Sequence, residues 1–135
     1  MKIEEKKSQL RERLKKLLLL QEKLKSLYGD ENYNVFVFGS YPTINFILGK
    51  SDVDMAVYTP DFDLYKKLAI KIEDFFSELN QSVDLFFIDM TMPAPAYIAP
   101  LNTSIQFTNY YPEELIHFKM KCEQNLLLIK KRMAG

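Results

Sequence analysis

The spacing of apolar residues changes along the chain from a helical period to a strand period and back. Between residues 3 and 28, leucines recur at intervals of three, four or seven among good helix formers, which predicts one long helix with a buried leucine stripe. The predicted stripe consists of Leu10, Leu14, Leu17, Leu18 and Leu24. Gly29 and Asp30 follow and are expected to end this helix.

Short apolar segments bounded by turn-forming residues predict strands in the middle of the chain. The predicted strands cover residues 35–38, 52–58, 82–89 and, as a weak edge strand, 104–108. A helix is predicted from Pro60 to about Leu79, and its inner face is expected to consist of Leu64, Leu68, Ile72, Phe75, Phe76 and Leu79. Residues 90–100 contain three prolines and are predicted to be irregular, with room for one helical turn.

Because strands alternate with helices, the predicted fold class is α/β (α+β), a small mixed β-sheet of about four strands flanked by helices. The chain has 135 residues, 47% of them hydrophobic, which is enough to bury a core. We expect a single domain over residues 1–135. Its parts are the helix 3–28, a core over 33–108 and a C-terminal helix over 113–132.

Cysteine usage and the N-terminal sequence predict a cytoplasmic protein. Cys122 is the single cysteine, so no internal disulfide can form, which fits a reducing compartment. The first seven residues are too polar to begin a signal peptide. The apolar run from Leu17 to Leu20 is too short to span a bilayer, so no membrane partner is expected.

The net charge is zero, but its distribution is uneven. Residues 1–29 carry a net charge of +5, residues 30–118 carry −9, and residues 119–135 carry +4. The acidic centre fits a metal site and disfavours a broad nucleic-acid groove there. The basic ends leave nucleic acid possible as a partner, although solvated helix faces explain most of these lysines.

Two acids close together in a predicted strand provide the strongest chemical signal. Gly39 and Ser40 follow the first predicted strand, and Asp52 and Asp54 stand two residues apart in the second. Residues i and i+2 of a strand point to the same face, so these carboxylates are expected to project together. Paired carboxylates repel each other and suit a hard divalent cation such as Mg²⁺, which relieves the repulsion.

This pattern resembles the nucleotidyltransferase superfamily related to DNA polymerase β. The likeness rests on an apolar strand, Gly39-Ser40, a spacer, the two acids Asp52 and Asp54, and a third acid, Asp84, on a later strand. At this length the chain is similar to the minimal members of that superfamily, which often accompany a helical toxin as its antitoxin. The spacer, residues 41–51, is one residue longer than the commonest form.

The resemblance implies a site and a reaction. Asp52, Asp54 and Asp84 would be catalytic and would hold a two-metal Mg²⁺ site, with Asp84 also helping to deprotonate the incoming nucleophile. Gly39 and Ser40 would bind the phosphates of a nucleoside triphosphate, with ATP as the expected substrate. Lys50 could also meet a phosphate, and a solvated loop lysine is the alternative.

The loop after Gly39-Ser40 departs from the family pattern. Many members place small and basic residues there, whereas residues 41–48 here are Tyr-Pro-Thr-Ile-Asn-Phe-Ile-Leu. This difference weakens the expected grip on phosphate and fits either an altered nucleotide pocket or lost activity.

Three functions therefore stay open from the sequence. The first is transfer of a nucleoside monophosphate to an acceptor hydroxyl, such as a tyrosine of a small helical toxin-like partner. The second is a catalytically weak antitoxin that acts as a protein-binding module, and the third is an RNA nucleotidyltransferase. Because the chain is short for a separate acceptor-recognition domain, a partner protein or a second copy in a homo-oligomer is expected to complete the site.

Overall fold

The computed structural model describes residues 1–107 and 110–134. In chain order its helices and strands are α1 (Ile3–Tyr28), β1 (Asn34–Phe38), β2 (Val53–Tyr58), α2 (Phe62–Ser77), β3 (Val83–Phe87), α3 (Ile98–Asn102), β4 (Ile105–Phe107) and α4 (Glu113–Ala134). A short 3₁₀ turn, Pro95–Tyr97, leads into α3, so the proline-rich segment does contain helical structure.

Within the described residues the four strands form one mixed sheet in the order β3-β2-β1-β4. β1 is antiparallel to both β2 and β4, whereas β2 and β3 run parallel and are connected through α2. The predicted α+β class with a small mixed sheet is therefore confirmed, and β4 is an edge strand as expected. The prediction of a single domain over residues 1–135 stays a prediction.

The two faces of the sheet bury different residues and carry different helices. Val53, Met55 and Val57 pack with the leucines of α1 and the apolar face of α2. Ala56 and Tyr58 point the other way, into a second cluster with α3 and α4. This alternation is the two-residue period of a strand, and it assigns each even-numbered residue of β2 to the α3–α4 side.

The leucine stripe of α1 is shifted from its predicted positions. Leu17, Leu20 and Leu24 are buried, but Leu18 is 60% exposed, so its assignment to the stripe was wrong. A run of four consecutive leucines does not reveal which one faces the sheet, because neighbours on a helix lie about 100° apart. On α2 the predicted inner face is mostly confirmed, except that Leu79 lies beyond the helix and is 38% exposed.

Several element ends differ slightly from prediction. Asp52 and Ser82 each precede their strands, and the third strand ends at Phe87 instead of Asp89. Thr108, the predicted end of the edge strand, lies outside the described residues. At the start of α2, Asp61 accepts hydrogen bonds from the backbone N–H groups of Asp63 and Leu64, so Asp61 is the N-cap residue of this helix.

No helix in the described residues is apolar enough over a sufficient length to cross a membrane.

Candidate active site

The carboxylates of Asp54 and Asp84 are neighbours across two parallel strands. Asp54 and Asp84 are paired in the β2–β3 register, and on the other side of β2 the same Asp54 is paired with Phe38 of β1. Both acids lie at even positions of their strands, so both side chains belong to the α3–α4 face. The backbone register therefore places the third acid directly opposite Asp54 of the first motif.

Gly39 brings the turn after β1 directly against this pair. Its φ of +70° lies in the left-handed region, which a residue with a Cβ adopts with strain. A Cβ at this position would overlap the Oδ2 atom of Asp54. The left-handed backbone conformation and the close approach to the Asp54 carboxylate thus each favour glycine at this position.

The electrostatics of Asp54 reflect a crowded group of acids. Partial burial raises the pKa of the Asp54 carboxyl, and the negative charges of Asp84 and then Asp52 raise it further. Asp52 and Asp84 are themselves exposed. Among residues 1–107 and 110–134, none of the ion pairs involves these three acids, so no basic side chain there neutralises the group.

The three acids were expected to hold metal ions together. In the structure, however, their carboxylates do not surround one common position. In the described part of the chain, no three His, Cys, Asp or Glu side chains are arranged so as to hold one ion. Asp54 and Asp84 form the core of the group, and Asp52 lies just before β2, where the Val53 N–H donates to the Ser82 carbonyl. The donor set nevertheless suits a hard cation, because it consists of carboxylate oxygens that no basic side chain of the described residues neutralises, beside a turn that leaves no room for a Cβ.

The predicted phosphate-binding residues divide into two groups. Gly39 and Ser40 lie at the acids, and the Ser40 carbonyl is fixed by hydrogen bonds from the Thr43 N–H at 2.9 Å and the Thr43 hydroxyl at 2.8 Å. Lys50 is an exposed residue near the far end of the loop, next to Gly49 with its φ of +81°. Among the residues that the structure describes, no ion pair joins Lys50 to the acids, so its phosphate role stays a prediction.

An open cleft of about 390 Å³ lies beside Gly39. Part of its wall comes from the segment that joins α3 to β4, including Asn102, Thr103 and Ser104. The Thr103 hydroxyl donates to the carbonyl of Val37 at 2.7 Å, which holds that segment against β1. No pattern in the sequence indicated these cleft residues, because they come next to Gly39 through the pairing of β1 with β4.

The loop whose sequence departs from the family pattern is packed into the protein. Tyr41 and Phe46 are buried and meet edge to face, and the Tyr41 ring also contacts Phe76 of α2. Arg13 of α1 binds the loop backbone as well, through a contact that the sequence did not predict. Tyr41 and Phe46 therefore have a structural role in addition to any effect on the nucleotide.

Comparison with known protein families identifies a domain that covers this part of the chain. The sequence pattern of the nucleotidyltransferase domain matches residues 17–105, which is more than half of the chain. The matched range contains the turn at Gly39 and all three acids. No curated protein and no solved structure matched the chain. With its paired acids, its glycine turn and this match, the chain belongs to the nucleotidyltransferase domain family.

Proposed function

We propose that this protein uses a divalent cation, Mg²⁺, to transfer a nucleoside monophosphate from a nucleoside triphosphate to an acceptor hydroxyl. ATP is the proposed donor, and a tyrosine of a small helical partner protein is the proposed acceptor. The observation that carries the proposal is the pairing of Asp54 with Asp84 in adjacent parallel strands, with Gly39 packed against Asp54.

The pairing is costly to the fold, which supports a chemical role. Two carboxylates in register repel each other, and the pKa of Asp54 is raised by its burial and by its acidic neighbours. A structural strand would be more stable with an uncharged residue at either position. Bound divalent ions would remove this cost and would neutralise charge on the transferred phosphate and on the leaving pyrophosphate.

The residues of the chain divide the remaining tasks. Asp52 and Asp54 would hold both ions and Asp84 would help to hold the second, while the turn at Gly39-Ser40 would offer backbone and hydroxyl donors to phosphate oxygens. Asp84 accepts the proton of the acceptor hydroxyl as its oxygen attacks the α-phosphorus. The new oxygen–phosphorus bond forms while the bond between the α-phosphorus and the bridging oxygen breaks, and pyrophosphate leaves.

The proposed acceptor is a group on another molecule because the acids face outward. Asp52 and Asp84 are exposed, so a hydroxyl can approach Asp84 from solvent without passing through the core. The resemblance to minimal antitoxin members supports a partner protein as the carrier of that hydroxyl. The net negative charge of residues 30–118 disfavours RNA as the acceptor, since phosphates would meet repulsion there.

The test measures transfer of label from ATP that carries the label on its α-phosphate, in the presence of Mg²⁺. The partner protein encoded beside this chain and RNA are offered as acceptors in separate reactions. We expect labelled tyrosine on the partner, found by mass spectrometry, and a loss of transfer by orders of magnitude in Asp54→Asn and Asp84→Asn. Asp89→Asn serves as the control, because Asp89 bonds to Thr91 and is not part of the acid group. A wild-type protein that binds the partner without labelling it would instead support a binding module, and labelled RNA would redirect the acceptor assignment.

A further inference from the structure

We propose that Arg13 of α1 is a positioning residue that sets the conformation of the turn following Gly39-Ser40, and through it the affinity for the nucleotide. This inference rests on the proposed function of that turn. Arg13 lies outside residues 17–105, the range matched by the family pattern, so the contact is a feature of this chain beyond that pattern.

The loop between β1 and β2 depends on tertiary contacts for its shape. It consists of turns, and the bonds within it are short-range, such as those from Asn45 N–H to the Thr43 hydroxyl and from Ile47 N–H to the Ser51 hydroxyl. A segment with only short-range bonds keeps one conformation only where other elements of the fold contact it. The two ends are held by the strands, and the middle is held by Tyr41, Phe46 and Arg13.

Arg13 contacts the loop in two ways. Its Nε donates to the carbonyl of Tyr41 at 2.8 Å, and its Nη2 donates to the carbonyl of Thr43 at 2.6 Å. The guanidinium carbon also lies 5.7 Å from the centre of the Tyr41 ring and 5.0 Å from that of Phe46. The planar fork of a guanidinium matches two carbonyls in a fixed geometry, which the single ammonium of a lysine cannot reproduce.

These two carbonyls belong to the turn that follows the proposed phosphate donors. Tyr41 is the residue after Ser40, and Thr43 closes the turn by donating twice to the Ser40 carbonyl. Fixing the Tyr41 and Thr43 carbonyls therefore limits rotation of the Tyr41–Pro42 and Thr43–Ile44 peptide groups. Because Pro42 has no N–H to contribute, the direction of the few remaining donors at Ser40 and Tyr41 depends on how firmly this turn is held.

The contact also explains how a loop without basic residues near Gly39-Ser40 keeps one conformation. The guanidinium of Arg13 brings a positive charge to this loop from α1, on the side away from the acids. On that side Arg13 lines a cavity of about 260 Å³ together with Tyr41 and Phe46. Arg13 acts through the backbone of the turn, so its effect on the nucleotide is indirect. Loss of the contact should loosen binding of the triphosphate more than it slows the chemical step.

The test compares Arg13→Lys with Arg11→Lys, an exposed arginine of the same helix. For Arg13→Lys we expect about a tenfold rise in the KM for ATP, equivalent to about 1.4 kcal/mol, with kcat changed by less than about threefold. Hydrogen exchange of residues 39–47 should quicken in the metal-free and nucleotide-free protein, while exchange in α2 stays as in wild type. Phe46→Leu, which removes the ring beneath the guanidinium, should also raise the KM for ATP and quicken exchange of residues 39–47, both to a smaller extent.

Two results would overturn the inference. One is unchanged exchange of residues 39–47 in Arg13→Lys, because the loop would then not depend on this contact. The other is a fall in kcat with KM unchanged, because Arg13 would then act on the chemical step. If the wild type transferred no nucleotide, the proposed function would fail, and the exchange measurement together with the affinity for ATP would still decide the role of Arg13.

Discussion

Replacing Asp54 by asparagine should make the metal-free protein more stable while it removes activity. Asparagine keeps nearly the same shape near the start of β2 and removes the charge that faces Asp84. Most substitutions make a protein less stable. A higher stability after an isosteric substitution in a strand would therefore indicate that the carboxylate is kept there for its chemistry.

The magnitude follows from the register of the strands. Neighbouring strands lie about 4.8 Å apart, and unit charges about 5 Å apart repel by about 0.8 kcal/mol in water and about 3 kcal/mol at an effective dielectric constant of 20. Because Asp84 is exposed, the lower end of this range applies, and partial burial of Asp54 adds to it. We expect Asp54→Asn to gain about 1–2 kcal/mol in the free energy of unfolding, or roughly 3–6 °C in Tm.

The difference in stability between wild type and Asp54→Asn should depend on pH in a direction that can be measured. The pKa of Asp54 in the folded state is raised above its ordinary value of 3.8 by burial and by its acidic neighbours. Below the ordinary value the group is protonated in both states, so wild type and Asp54→Asn should be equally stable. As pH rises through the raised pKa, wild type loses stability relative to the variant, and the difference is fully present above that pKa.

The assay is urea unfolding of both proteins in EDTA across this pH range, followed by the same measurement with Mg²⁺. Mg²⁺ should stabilise wild type more than Asp54→Asn, since the variant has lost a ligand. Asp89→Asn provides a control of opposite sign, because hydrogen bonds from the Thr91 N–H and hydroxyl lower the pKa of Asp89. A variant at position 54 that is less stable than wild type at neutral pH in EDTA would refute the reasoning.

Three further predictions concern the turn, the core and the ligand. Gly39→Ala should destabilise the fold by about 1–3 kcal/mol in urea unfolding, and by more than Gly49→Ala, because both have positive φ but only the Cβ at residue 39 would meet another group. Leu20→Ala should cost about 2–5 kcal/mol of unfolding free energy, whereas Leu19→Ala, at a 63% exposed neighbour, should cost little. ATP should bind measurably in Mg²⁺ and much more weakly in EDTA by calorimetry, and equal affinities would remove the argument for a cation between acids and phosphates.

The local part of this structure could be predicted from the sequence. Periodicity located α1, the strands and α2, because each pattern is set by residues close together in the chain. The convergence of Gly39, Asp54 and Asp84 was implied by the resemblance to the nucleotidyltransferase superfamily, and the parallel register of β2 and β3 places the two acids opposite each other.

Features that depend on distant residues could not be predicted in this way. Arg13 lies in a helix that looked uniformly solvated on its polar side, and its partners are 28 and 30 residues away. Tyr41 and Phe46 appeared as departures from a phosphate-binding loop, and their burial against α2 became visible only with the fold. Which leucine of the run in α1 faces the sheet was undetermined for the same reason.

The central claim is that Asp54 and Asp84, with Asp52, hold the divalent ions that bind the nucleotide beside Gly39. A crystal structure with Mn²⁺ and a non-hydrolysable ATP analogue tests it most directly, because the anomalous scattering of manganese locates the ions. We predict manganese between the carboxylates of Asp54 and Asp84, with the triphosphate along the turn at Gly39-Ser40. Manganese and nucleotide bound elsewhere, for example in the cavity lined by Arg13, with the acids free of metal, would contradict the account.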